Sequence, residues 1–291
     1  MFKGILLGFA CYAAYSISDA FVKLLEGALP SYELVFFGAL LMLTAVPFLK
    51  KPDDRWRDVV MAKKPAIWLL RAFCGAAGNL TSVIAFTHLS MAEAFALIFL
   101  MPIFVTVLSV MLLREEVHWR RWTAVVVGFI GVLVVLRPGF RALSEGHVAA
   151  IICGLTGAVS VISLRMAGPD EKRITLYGAG VIGPLVMGGI LMLPSFVWPT
   201  AWQWLMIAGY GLLAGFAAIL MMHSTRLAPV SAVAPTQYSQ MLWAIGFGYW
   251  LFHSKLDWIT GAGIVLILGS GLVTFLRWSQ VTSWRRRTRI V

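Results

Sequence analysis

Two groups of polar residues lie inside otherwise apolar segments, where an unpaired polar group is costly. The first follows one face of a predicted helix over residues 66–87, and its members at helical spacing are Arg71, Gly75, Gly78, Asn79, Ser82 and Phe86. Glycine on such a face lets a second helix approach closely. Asn79, Ser82 and Phe86 are expected to line a binding cavity, although the Asn79 amide could equally hold this helix to a neighbour.

The second group is divided between the predicted helices over residues 91–113 and 230–252. Pro102 lies in the middle of the first of these helices, where proline frees a backbone carbonyl and permits a bend. The second helix has Pro235 near its start. Polar groups that could bind the charged ends of an amino acid are those of Gln237, Tyr238 and Gln240; apolar side chains that could hold its side chain are Met101, Phe104 and Trp243. Alternatively, these aromatic rings face lipid.

Other titratable residues have simpler explanations. Asp19 and Lys23 are four residues apart and are expected to neutralise each other, so they give no basis for a claim of proton coupling. Ser90 and Glu93 form a capping-box pattern, and the three cysteines lie in apolar segments and are expected to be inert. His253 and Asp257 resemble the His–Asp pair of acyltransferases, but their spacing is one residue shorter, so we do not expect them to be catalytic. The sequence contains no glycine-rich phosphate loop, metal cluster or activated nucleophile, so we expect no enzyme, cofactor or metal.

The composition indicates that transmembrane helices position these residues. Apolar residues make up 60% of the chain and charged residues 13%, with a mean hydropathy of +0.85, which is typical of a membrane protein. We predict an all-α integral membrane protein whose first helix is retained. The ten predicted transmembrane helices cover residues 3–25, 31–49, 66–87, 91–113, 119–136, 147–167, 173–193, 202–224, 230–252 and 257–276.

The chain contains a weak internal repeat. Residues 89–136 align without a gap on residues 227–274, and in the first helix a shift of 142 pairs Gly4 with Gly146. We therefore expect two five-helix repeats, residues 1–140 and 141–278, followed by a basic tail at 279–291. An odd number of helices inverts the second repeat, which would place Lys23 and Arg165 on opposite sides of the membrane.

Basic residues give the expected orientation. Nearly all of the Lys and Arg residues in loops lie on the side that the two termini share, and the exceptions are Arg137, Arg141 and Lys255. Because such loops stay inside the cell, both termini are predicted to be cytoplasmic. Arg71 is expected to extend to that membrane surface. The net charge of +11 then reflects topology and contact with the lipid bilayer, and we expect no nucleic-acid partner.

Residues 71–139 resemble the drug/metabolite transporter superfamily, EamA type. The matching features are Arg71, Pro102, Glu115, Glu116, Gly128 and Gly131. The second half departs from the family pattern, with Gln240 in the place of Pro102 and Ser254 in the place of Glu116. The resemblance implies a bacterial inner-membrane transporter of small metabolites, and it is closest to the exporters of aromatic and neutral amino acids.

The expected function is therefore export of small amphipathic metabolites, most simply amino acids, by alternating access. We expect a monomer. Gln237 and Tyr238 lie about eight residues inside their helix, or about 12 Å deep, which is close to the middle of the bilayer. One alternative is an importer or exchanger of larger metabolites such as nucleotide derivatives. Another is a channel-like or scaffold protein, and a scaffold would need no polar cluster at the midplane.

Overall fold

A computed structural model describes residues 2–25, 27–114, 119–136, 143–168, 171–228, 233–254 and 257–270. The described residues are helical and contain no strand, which confirms the predicted all-α fold. Seven helices are long and apolar enough to cross a membrane, namely α1 (Phe2–Leu24), α2 (Ser31–Leu49), α3 (Pro65–His88), α4 (Met91–Leu113), α6 (Glu145–Ala167), α7 (Arg173–Met192) and α8 (Ala201–Leu227).

Three shorter helices complete the order. They are α5 (Trp119–Leu136), α9 (a 3₁₀ turn at Ala234–Tyr238 followed by Ser239–Trp250) and α10 (Trp258–Ser270). The helices begin and end close to their predicted bounds because each is a continuous apolar segment between polar or glycine- and proline-containing turns. Glu115, Glu116 and the predicted tail at 279–291 lie outside the described residues.

Contacts between the helices follow a pseudo-twofold pattern. Helix α1 packs on α8, and α3 packs in the same way on α6, while α2 and α7 pack on each other. Glycines permit the equivalent close approaches: a Cβ placed at Gly4 would lie 2.6 Å from the Ala228 Cβ, and one at Gly146 would lie 2.7 Å from the His88 Cβ. Exchanging each helix of the first five with its counterpart five helices later therefore preserves the main contacts.

Helices α4 and α9 are both interrupted at the same place in the repeat. In α4 the helix stops at Ile98 and restarts at Met101, with Pro102 in its first turn. Proline has no N–H to donate to the Ile98 carbonyl, four residues earlier. That oxygen would lie 3.0 Å from a Cβ at Gly154 on α6. In α9 the α-helix starts at Ser239, 138 residues after Met101.

The segment between α2 and α3 is bound to the start of α7. Lys172 Nζ lies 2.5 Å from Asp58 Oδ2 and 3.4 Å from Asp54 Oδ1. The hydrogen bond from Lys172 lowers the pKa of Asp58, and the same bond raises the pKa of Lys172. Both groups are therefore charged near neutral pH. Asp58 belongs to a short 3₁₀ turn, Trp56–Val59, which its ion pair with Lys172 joins to the start of α7.

A cysteine-labelling experiment tests the predicted orientation. Glu145 and Asp53 are both exposed, and we expect them on opposite sides of the membrane. A cysteine at Glu145 should react with a membrane-impermeant thiol reagent added to intact cells, whereas a cysteine at Asp53 should react only after the cells are opened. The reverse labelling pattern would show that the termini are outside.

Candidate functional site

A cavity of about 270 Å³ lies between α3 and α6. Small and polar side chains line it, and the lining residues are Cys74, Gly75, Gly78, Asn79, Ser82, Cys153, Thr156, Gly157 and Ser160. Glycines let the two helices approach closely here, since a Cβ at Gly78 would lie 3.0 Å from the Thr156 hydroxyl oxygen. The predicted polar face of the third helix thus lines a cavity, and its opposite wall comes from the second half of the chain.

Asn79 has two roles in this structure. Its Nδ2 donates to the Gly75 carbonyl at 3.1 Å, and its Oδ1 accepts a hydrogen bond from the Tyr210 hydroxyl at 3.0 Å. The amide therefore lines the cavity and also joins α3 to α8. The structure shows the hydrogen bond between helices that was one of the two alternatives, and contact of Asn79 with a solute stays a prediction. Ser82 lies one turn further along the same wall.

Arg71 does not extend to the membrane surface, so that prediction was wrong. Its Nε donates to the Leu176 carbonyl at 2.8 Å, and its Nη1 donates to Ser160 Oγ at 2.8 Å and to the Ser160 carbonyl at 3.1 Å. Acceptors on α6 and α7 therefore hold its Nε and Nη1 inside the bundle. Arg71 consequently lies beside Ser160 at one end of the cavity.

The expected neutralisation of Asp19 by Lys23 is also absent. Lys23 Nζ instead donates to the Thr87 carbonyl at 3.4 Å, at the end of α3. Within the described ranges, no Lys, Arg or His nitrogen lies within 4.0 Å of the Asp19 carboxylate. The spacing of four residues permits an ion pair between Asp19 and Lys23, but Lys23 donates to an acceptor on the neighbouring helix α3 instead. Arg165 is exposed in the last turn of α6.

The residues predicted on α4 and α9 lie beside the cavity or away from it. The Met101 sulfur packs against Gly157, which lines the cavity. Tyr238 stacks on Phe99 with ring centroids 5.8 Å apart. The other predicted residues on these helices that are partly buried are Phe104, Gln237 and Gln240. Trp243, in contrast, is 39% exposed and stacks on Phe247. Pro235 belongs to the 3₁₀ turn that opens α9.

Phe86 and the remaining polar pairs belong to the packing of the bundle. Phe86 is buried in the core and packs on Phe95, with ring centroids 5.0 Å apart, instead of lining the cavity. Ser90 caps α4, since its hydroxyl accepts from the Glu93 N–H at 3.3 Å. Asp257 accepts from the Thr260 N–H at 2.8 Å at the start of α10, which gives it a capping role.

Sequence reasoning missed the contribution of the second half. Cys153, Thr156 and Ser160 form one wall of the cavity, and Tyr210 holds the opposite wall through Asn79. A signal was available in the repeat, because a shift of 142 pairs Cys153 with Cys11 and Ser160 with Ser18. Applying the repeat to the site as well as to the fold would have drawn attention to helix α6.

Comparison with known proteins gives relatives of similar length. The chain is 23% identical over 273 residues to an S-adenosylmethionine uptake transporter of Rickettsia prowazekii, covering 92% of this chain and 90% of the relative. It is 26% identical over 272 residues to the pseudopaline exporter CntI of Pseudomonas aeruginosa, with 91% and 93% covered. A solved crystal structure with 18% identity and a TM-score of 0.60 covers 96% of this chain and 98% of its own, and it shows the same fold.

The sequence profile of one family matches nearly the whole chain in two consecutive stretches. These are residues 2–137 and 145–276, and the profile is that of the EamA-like transporter family. The match is to a family of multi-pass membrane transporters, in agreement with the helical fold and the interior cavity. The chain belongs to the EamA-like transporter family.

Proposed function

We propose that this protein is a secondary transporter of small amphipathic metabolites, amino acids or compounds that contain an amino-acid group. It acts in the bacterial inner membrane with both termini in the cytoplasm. Two inverted repeats, residues 1–140 and 141–278, move relative to each other to expose one site alternately to the two sides. The observation that carries this proposal is the polar cavity between α3 of the first repeat and α6 of the second. A scaffold would not need such a cavity.

The two pseudo-symmetric helix pairs differ in a way that supports alternating access. Cys153 in the α3–α6 pair lines the cavity and is partly buried. Its counterpart Cys11 in the α1–α8 pair is fully buried, and its thiol lies 3.2 Å from the Ala217 carbonyl oxygen. One pair is therefore parted at this level while the other is closed. Exchange of these two arrangements would move the opening from one side to the other.

The comparisons support a second candidate, which is uptake of a larger metabolite. Several relatives are named as S-adenosylmethionine uptake transporters, with 21 to 23% identity over about nine tenths of the chain. The name of their substrate joins an adenosyl group to an amino acid, so it shares an amino-acid group with the first candidate. For this chain, uptake and S-adenosylmethionine are therefore a hypothesis about the direction of transport and the substrate.

Counterflow in proteoliposomes tests both candidates. Vesicles containing the purified protein are loaded with one unlabelled compound, and entry of the same labelled compound is measured. The panel contains phenylalanine, leucine and S-adenosylmethionine, with empty vesicles as the control. We expect trans-stimulated entry of at least one compound. Entry of none, or entry without trans-stimulation as in a channel, would contradict the proposal. Which compound is moved decides between the candidates.

Variants at Asn79 and Tyr210 separate solute binding from helix packing. Tyr210→Phe and Asn79→Leu both remove the hydrogen bond between α3 and α8, which contributes about 1 kcal/mol. Only Asn79→Leu also removes an amide from the cavity wall. We expect similar thermal stability for the two variants but counterflow at least about tenfold slower in Asn79→Leu, equivalent to about 1.4 kcal/mol. Equal counterflow in the two would assign Asn79 to packing alone.

A further inference from the structure

Asp19 on α1 has fewer partners, among the described residues, than Glu33 and Glu93, the other acids inside the helix bundle. Glu33 on α2 accepts a hydrogen bond from the Val197 N–H at 2.9 Å, and Glu93 on α4 lies 3.9 Å from His147 Nε2. In the part of the chain that the structure describes, the Asp19 carboxylate accepts no hydrogen bond and forms no ion pair. A carboxylate inside a membrane protein is expensive and usually faces a water-filled space or a substrate path.

The position of Asp19 on its helix shows which way it faces. Asp19 lies five residues before the end of α1, or about 7 Å inside it. Ile17 is 39% exposed and marks the outer face of the helix. At about 100° per residue, Asp19 is about 200° further round than Ile17. It therefore points into the bundle, and its partial accessibility comes from the interior.

Contacts of α1 place Asp19 near the cavity. The Ser18 hydroxyl, next to Asp19 in the chain, donates to the Tyr210 carbonyl at 2.7 Å, and Asp19 is within electrostatic range of Cys153 and Tyr210. Cys153 lines the cavity, and Tyr210 donates to Asn79, which lines it from α3. Ser16, one turn before Asp19, adds a buried hydroxyl without a hydrogen-bond partner among the described residues. Asp19 therefore lies beside the end of the cavity that Asn79 and Cys153 form.

We propose that Asp19 is the group that binds the positively charged part of the transported solute. This inference rests on the proposed transport function and adds the charge of the ligand. The lining residues themselves are uncharged, so Asp19 is the acid that can supply a negative charge at this end of the cavity. A cationic group beside the Asp19 carboxyl favours its ionised form, and in a region of low dielectric the two then attract each other more strongly than they would in water. Ammonium and sulfonium groups have this chemistry.

Arg71 at the other end of the cavity indicates the length of the solute. Its Nη2 makes no hydrogen bond with the described residues, while its Nη1 binds the cavity residue Ser160. Arg71 and Ser82 are eleven residues apart, or about 16 Å along α3. The ammonium and carboxylate of one α-amino acid share a single carbon and cannot reach both ends. A longer zwitterion, with its cationic group at Asp19 and an anionic group near Arg71, fits this arrangement.

The first experiment uses Cys153 as a reporter of charge. Trimethylammonioethyl methanethiosulfonate is cationic, and sulfonatoethyl methanethiosulfonate is anionic. Modification of Cys153 by each is followed by mass spectrometry, and each rate is divided by that with a free thiol. We expect a preference for the cationic reagent of about tenfold or more, and we expect Asp19→Asn to abolish it. Asp53→Asn, which removes an acid from an exposed loop, is the control and should keep the wild-type preference. Cys153→Ser gives the background.

The second experiment measures counterflow of S-adenosylmethionine and phenylalanine by the same variants. Asp19→Asn should slow whichever compound the wild-type protein moves by about tenfold, with Asp53→Asn unchanged. If Asp19→Asn loses the charge preference at Cys153 but the wild-type protein transports none of the compounds, the cation site is supported and the proposed transport function is contradicted. An unchanged charge preference in Asp19→Asn, with transport at the wild-type rate, would overturn the inference about Asp19 and leave the proposed function intact.

Discussion

Gly183→Ala should severely destabilise the protein. Gly183 lies on α7, and a Cβ placed there would overlap the Ala72 carbonyl oxygen and lie 2.5 Å from the Ala72 carbonyl carbon on α3. These are backbone atoms, so relief requires the two helices to separate. We expect a loss of about 3 kcal/mol or more, measured as a lower melting temperature in detergent, and a low yield of folded protein.

Gly246→Ala is the matched control for this change. Gly246 also lies within a helix, α9, but apart from its chain neighbours and its own helix backbone, no atom of the described residues lies within 4 Å of a Cβ placed there. Alanine is favoured over glycine in a helix by about 1 kcal/mol, so this variant should be as stable as the wild type or more stable. Equal melting temperatures for Gly183→Ala and Gly246→Ala would show that α3 and α7 do not pack as closely as described.

The close approach of α3 and α7 also determines the shape of the cavity. Gly75, which lines it, lies against Gly180, since a Cβ at Gly75 would be 3.3 Å from the Gly180 Cα. Small residues on the third helix predicted such an approach because glycine removes the side chain that would keep two backbones apart. The sequence did not show which helix approaches, since α7 is more than a hundred residues later in the chain.

The fold was predictable because its signal is local. Each helix is an apolar segment long enough to satisfy its backbone within the bilayer, and Ser90, Pro102 and the glycines mark ends and breaks that the structure shows at those places. The repeat was predicted by comparing the chain with itself. These features need no knowledge of which helix packs against which other helix.

The site was less predictable because its partners come from other helices. Asn79 and Ser82 were identified from the helix face that they share. For Arg71 the sequence predicted a position at the membrane surface, and for Asp19 it predicted an ion pair with Lys23. In the structure, α6 and α7 supply the acceptors for Arg71, and Thr87 accepts from Lys23. Spacing along one helix shows which pairs are possible, whereas tertiary contacts decide which pairs form.

Pro102→Ala should slow transport while leaving the protein folded. Alanine restores an N–H that can donate to the Ile98 carbonyl, so the two parts of α4 can join in one continuous helix. A continuous helix bends less readily at the position where α4 packs on Gly154 of α6. If this break moves during the cycle, counterflow should fall about tenfold, equivalent to about 1.4 kcal/mol in the rate-limiting step. Its melting temperature should be unchanged or higher.

Pro184→Ala is a control for this variant because Pro184 lies inside α7, which continues through it without a break. Replacing it also restores a backbone donor in the membrane, but it joins no separated segments. A comparable loss of counterflow in the two variants would assign the effect to intramembrane proline in general. A loss confined to Pro102→Ala would place the moving element at the break in α4, where the Ile98 carbonyl faces Gly154 beside the cavity. Unchanged counterflow in Pro102→Ala would show that this break is static.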